Sequence, residues 1–86
     1  MRAVAFYAGS DRVGGVKTPR DVSGEQAVRA LLRLGFERRR QTGSHVILRR
    51  DSRTVVVPMH RTLKPGTLRG LIAQAGLTVE SFWAEL

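Results

Sequence analysis

The sequence predicts an α+β domain: a helix, three antiparallel strands, a second helix and a short terminal helix, with the helices packed on one face of the sheet and the other face open. Three observations carry this expectation. Ser23 stands three residues before Gln26 at the head of a helical apolar repeat, a Gly43-Ser44 pair separates two strand-like runs, and Pro65 opens a second helical repeat after a valine-rich run.

The first helix has signals at both ends. Ser23 and Gln26 have the spacing of a capping box, in which the N-cap hydroxyl accepts the N3 amide and the N3 side chain reaches back. Ala27, Val28, Leu31 and Leu32 then recur at i, i+1, i+4 and i+5, with Arg29 and Arg33 on another face. Gly35 after Leu34 supplies a left-handed stop, so a helix is expected over 24–34.

ERRRQT (37–42) and HVILRR (45–50) flank Gly43-Ser44, and glycine at the first of two turn positions suits a type II′ hairpin. A two-residue turn sets Thr42 opposite His45, Arg40 opposite Ile47 and Arg38 opposite Arg49. Directly opposed residues share a face, so His45, Thr42, Arg40, Arg38 and Arg49 are expected together, with Val46 and Leu48 turned to the core. A one-residue bulge would break that inference.

After a turn at Asp51-Ser52, TVVVP (54–58) is β-branched and ends in proline, as a third strand beside the second. In LKPGTLRGLIAQAG, Pro65 is pre-set for a first helical turn, Leu68, Leu71, Ile72 and Ala75 recur at i, i+3, i+4 and i+7, and Gly76 closes the helix. Thr78 caps a last short helix whose Val79, Phe82, Trp83 and Leu86 form an apolar face, read as packing surface rather than as base-stacking aromatics.

Eighty-six residues suit one small domain, assigned here to 23–86. Residues 1–22 carry Gly9, Gly14, Gly15 and Pro19 without a sustained period and read as a loosely ordered arm with a short strand near Val4 to Tyr7. No cysteine is present, which fits a reducing compartment. The apolar run AVAFYA is too short for a membrane span, so a soluble cytoplasmic protein without a membrane partner is expected.

The formal net charge is +8, and from Arg29 to Arg69 eleven arginines and lysines face only Glu37 and Asp51. That density predicts a polyanionic partner, and the preference for arginine favours phosphate, which a guanidinium grips with two hydrogen bonds. A solvated basic face without a ligand is the alternative reading. Lys64, with the free amides of a helix start, makes a phosphate site if it does more than begin a core helix.

Several chemistries lack their parts. No Cys or His cluster has metal-ligand spacing, no phosphate loop of the G-x-x-x-x-G-K-[ST] type occurs, and acids are too few for a carboxylate pair. Ser44 beside His45 makes no hydrolase triad, because neighbours on a hairpin diverge and no orienting carboxylate is evident. Neither a metal nor a cofactor is expected. Taken alone, a histidine at a strand start is more often structural than catalytic.

GFERRRQTGSHVILRR, TVVVPMH and LKPGTLRGLIAQAGL, in this order and spacing, resemble the HicA family of toxin ribonucleases from bacterial toxin-antitoxin systems, over about Ser23 to Leu77. The resemblance implies a fold like that of double-stranded RNA-binding domains, metal-independent cleavage of mRNA, and a HicB-type antitoxin partner. It places the family's glycine, serine and catalytic histidine on Gly43, Ser44 and His45, its second histidine on His60, and its helix-opening signature on Lys64, Pro65, Gly66, Thr67 and Leu68. The chain departs from the family pattern in its N-terminal arm and in a short link between Met59 and Leu63.

RNA needs no metal for cleavage, because its 2′-OH is an internal nucleophile and histidine can move the protons near neutral pH. His45 is thus the expected general acid/base. Arg38, Arg40, Arg49, Lys64 and Thr67 are expected on the RNA, and His60 is a second proton carrier, an RNA contact or a plain strand-end residue. Two rivals use the same residues without chemistry: an RNA-binding module of the same fold, and a subunit whose basic face binds another protein.

Overall fold

A computed structural model describes residues 21–86, and the arm expected at 1–22 falls outside the described residues except for its last two positions. The element order is α1 (Gly24–Arg33), β1 (Glu37–Thr42), β2 (His45–Arg50), β3 (Arg53–Pro58), α2 (Pro65–Gln74) and α3 (Val79–Trp83). This is the expected α+β layout.

Local chemistry explains the element ends. Ser23 Oγ accepts from the Gln26 amide at 3.0 Å while Gln26 Oε1 accepts from the Ser23 amide at 2.9 Å, the full reciprocal box at the start of α1. Thr78 and Ser81 make the equivalent box at α3, and Pro65 takes the first position of α2. Each such cap satisfies amides that the helix itself leaves without partners.

The sheet runs β1-β2-β3, antiparallel throughout. Val46, Leu48, Val55 and Val57 are fully buried on one face against Ala27, Val28 and Leu31 of α1, Leu68, Leu71 and Ile72 of α2, and Phe82 of α3. Burying each large aliphatic side chain stabilises the fold by about 1.5–3 kcal/mol. Val22 is also buried and its carbonyl accepts from the Leu63 amide at 2.7 Å, so the packed unit includes it.

Three apolar residues depart from expectation, Leu32, Trp83 and Leu86, the last of them 45% exposed. Leu32 is 42% exposed because α1 seats on the sheet along Ala27, Ala30 and Leu31, and the next residue is turned about 100° away. Trp83 is 48% exposed beside a fully buried Phe82, since the core-facing side of α3 is taken by Phe82 and the partly buried Val79.

The register of β1 against β2 also differs from expectation. Thr42, Gln41 and Arg40 pair with His45, Val46 and Ile47 as the turn requires, but a bulge then intervenes, setting Arg38 opposite Leu48 and Glu37 opposite Arg49. The bulge reverses the alternation of β1. Phe36, just before the strand, thereby points to the helix side, where it is buried, instead of to the open face. Arg38 goes to the helix side with it, so the expectation that Arg38 shares a face with His45 fails.

Candidate functional site

The site begins at the β1–β2 turn. Gly43 adopts φ +57° while Ser44 keeps a negative φ, the pattern of a type II′ turn. His45 follows as the first residue of β2, exposed, between Thr42 on β1 and Pro58 on β3. The Met59 amide donates to the Ser44 carbonyl at 2.6 Å, which ties the end of β3 to the turn carrying His45.

The chain beyond β3 is held from the other side. The His60 carbonyl accepts from the Gly24 amide at 2.9 Å, so the start of α1 presses on the Pro58–His60 segment. Only glycine fits there: a Cβ on Gly24 would collide with the Pro58 carbonyl oxygen and lie 2.8 Å from Met59 Cα. With Leu63 bonded to Val22, α2 also starts at this end. His45, His60, Lys64 and the Gly43-Ser44 turn are therefore gathered at one end of the domain, and both histidines are exposed.

Lys64 is the N-cap of α2, extended and without a side-chain cap. Pro65 has no N–H, so the first-turn donors are the amides of Gly66 and Thr67, with the exposed Lys64 ammonium beside them. That is a donor-rich, positive corner.

Across the open face the pairs run Thr42–His45–Pro58, Arg40–Ile47–Val56 and Glu37–Arg49–Thr54. Ile47 and Val56 make an aliphatic centre, Val56 being 41% exposed, and no described helix covers it. Arg40 lies one pair from His45, while Arg49 stands four residues away, roughly 13 Å at the strand rise. Arg38 is on the other face, where Nη2 donates to Gln41 Oε1 at 2.7 Å.

Three arginines within the basic segment serve the fold, among them Arg33, whose Nη1 donates to the Glu85 carbonyl at 2.7 Å. Arg50 Nη1 donates to the Leu34 carbonyl at 2.6 Å with its guanidinium carbon 4.9 Å from the Phe36 ring centre, and Arg53 Nη1 reaches the Gln74 carbonyl at 3.4 Å. Glu37 is a further residue of this face that its place in the sequence does not reveal, because only the bulge brings it opposite Arg49. Among the described residues no group of three or more His, Cys, Asp or Glu is placed to hold a metal ion.

The family model described as HicA toxin of bacterial toxin-antitoxin matches residues 24–77, more than half of the chain. The chain belongs to the HicA toxin family. No match was found among curated proteins. The matched stretch of this HicA chain runs from the first residue of α1 to just beyond α2, so it contains the whole sheet, both histidines and both long-helix starts. Its helix, three antiparallel strands and following helices agree with the double-stranded-RNA-binding-domain-like fold of HicA. As a HicA toxin it belongs to a toxin-antitoxin system and has an antitoxin as partner. No described helix is long and apolar enough to cross a membrane.

Proposed function

We propose that this HicA toxin is a metal-independent endoribonuclease that cuts mRNA in the cytoplasm, with His45 as its general acid/base and residues 23–86 as the acting unit. The observation that carries the reading is an exposed histidine on an uncovered basic sheet face, fixed by a tight turn bonded to the end of β3.

In this reaction His45 takes the proton from a ribose 2′-OH, the 2′-oxygen bonds to the adjacent phosphorus, and the bond from phosphorus to the 5′-oxygen breaks. The leaving 5′-oxygen takes up a proton, giving a 2′,3′-cyclic phosphate and a 5′-hydroxyl. His60, held at the same end through its carbonyl, is the candidate donor for that second proton. Arg40 and the α2 start, with Lys64 and Thr67, offer cationic and amide donors to the scissile and flanking phosphates, where charge builds up in the transition state. A HicB-type antitoxin restrains the toxin by covering this basic face.

Incubation of RNA with wild type and His45→Ala, each with and without excess EDTA, tests the reading. Cleavage by wild type that persists in EDTA and disappears in the variant supports it. Equal cleavage by both proteins overturns the role of His45, and binding without cleavage by wild type favours a non-catalytic RNA-binding module instead.

A further inference from the structure

At the end of the sheet away from His45, Gly35, Glu37, Arg39, Arg49, Arg50 and Asp51 line a depression of about 270 Å³. The reaction proposed above makes no use of it. It adjoins the same open face, because Arg49 follows His45 and Ile47 on alternate positions of β2.

The lining is chemically mixed. Glu37 and Arg49 are directly opposed across β1 and β2, yet each takes a different partner. The Glu37 carboxylate takes Arg39 Nη1 at 3.2 Å, whereas Arg49 Nε donates to the Asp51 carbonyl at 2.9 Å. Anchoring through Nε orients the Arg49 guanidinium and leaves its two Nη groups for a ligand, while Glu37, 74% exposed, keeps acceptor capacity beside them. Arg50 is engaged by Leu34 and Phe36 and serves as wall.

A site for phosphate alone gains from donors and is weakened by carboxylates. The edge of a nucleobase presents both donors and acceptors, and guanine sets O6 and N7 acceptors next to N1–H and N2–H donors. We propose that this depression is a base-reading subsite that takes a guanine of single-stranded RNA, a few nucleotides from the cleaved bond, with Arg49 donating to O6 and N7 and Glu37 accepting from N1–H and N2–H. Adenine at the same place meets Arg49 with an amino group and offers Glu37 no adjacent donor pair. The subsite rests on the ribonuclease reading and adds to it a preference in sequence.

The test uses the full chain carrying His45→Ala, to stop turnover, and short single-stranded RNA oligonucleotides in which each position in turn is guanine, inosine or adenine. Affinity is followed by fluorescence anisotropy. Guanine at one position is expected to bind about tenfold tighter than adenine, with inosine between them, in line with one bidentate base contact. In His45→Ala with Glu37→Gln, which sets an NH2 donor where the second carboxylate oxygen stood and so cannot take N1–H and N2–H side by side, the preference is expected to fall within about twofold. Equal binding of all oligonucleotides, no binding of any, or a guanine preference that survives Glu37→Gln overturns the subsite. RNA cleavage by wild type is scored separately: its absence defeats the ribonuclease reading, and its presence without guanine preference defeats only the subsite.

Discussion

Arg50 and Arg53 face each other across the two-residue turn at Asp51-Ser52, and each donates to a carbonyl at the C-terminal end of a different helix. Arg50 reaches Leu34 at the end of α1 and Arg53 reaches Gln74 at the end of α2. A cation at this end of a helix meets the negative pole of its dipole and satisfies carbonyls without intrahelical partners. One hairpin thereby clamps both long helices to the sheet.

Removing Arg50 therefore costs stability before it affects any ligand. Arg50→Ala is expected to lower the unfolding free energy by about 2 kcal/mol, from a charged hydrogen bond and a contact with the Phe36 ring. Arg53→Ala should cost less, because its bond is longer and exposed. Urea unfolding followed by circular dichroism checks the order, and an Arg50→Ala protein as stable as wild type contradicts the clamp.

Gly24 and Gly70 respond in opposite directions. Gly24→Ala drives a methyl group into the Pro58–Met59 backbone and is expected to destabilise the protein by about 1–3 kcal/mol. Gly70→Ala, inside α2 with nothing within 4 Å of the added carbon, should stabilise it by up to about 1 kcal/mol. Paired thermal melts decide, and a shift of the same sign in both variants counts against the packing described for α1.

Single-turnover cleavage separates the roles at the histidine end. His45→Ala should lower the cleavage rate by about 10²–10⁴-fold, the usual contribution of a general acid/base, with RNA affinity changed by less than about threefold. His60→Ala lowers the rate by a comparable factor if its imidazole carries the second proton. A rate within about twofold of wild type leaves His60 only its backbone role toward Gly24.

Salt dependence distinguishes the two faces of β1. Arg40, on the open face, is expected to neutralise one phosphate, so Arg40→Ala should reduce the slope of log K against log salt by about 0.7. Arg38→Ala should leave that slope unchanged, because its side chain lies on the helix side with Gln41. A larger effect at Arg38 than at Arg40 reverses the assignment of faces.

Much of the candidate site was legible because its determinants are close in sequence. Gly43-Ser44 sets the pairing of its neighbours, so Thr42–His45 and Arg40–Ile47 follow from turn chemistry alone. Two pairs further on, the inference failed. Every β1 side chain is exposed, so the strand carries no buried residue of its own to hold its phase, and the deciding residue is Phe36 outside it. Arg50 and Arg53 likewise look like part of a free basic face in the sequence, although helix ends far away in the chain claim them.

The sequence by itself determined the order of elements, the Ser23–Gln26 capping box, the Thr78 cap, the type II′ turn and the exposed start of β2 at His45, since these rest on signals between residues close in the chain. Only the tertiary structure decided that Phe36 is buried beneath α1, and its burial forces the bulge that turns Arg38 away and brings Glu37 opposite Arg49. Contacts of Gly24 and Ser44 with the segment after β3 likewise bring His60 to the His45 end. Such contacts join residues whose neighbours in the chain carry no trace of them, and so they appear only when helix, turn and strand are packed together.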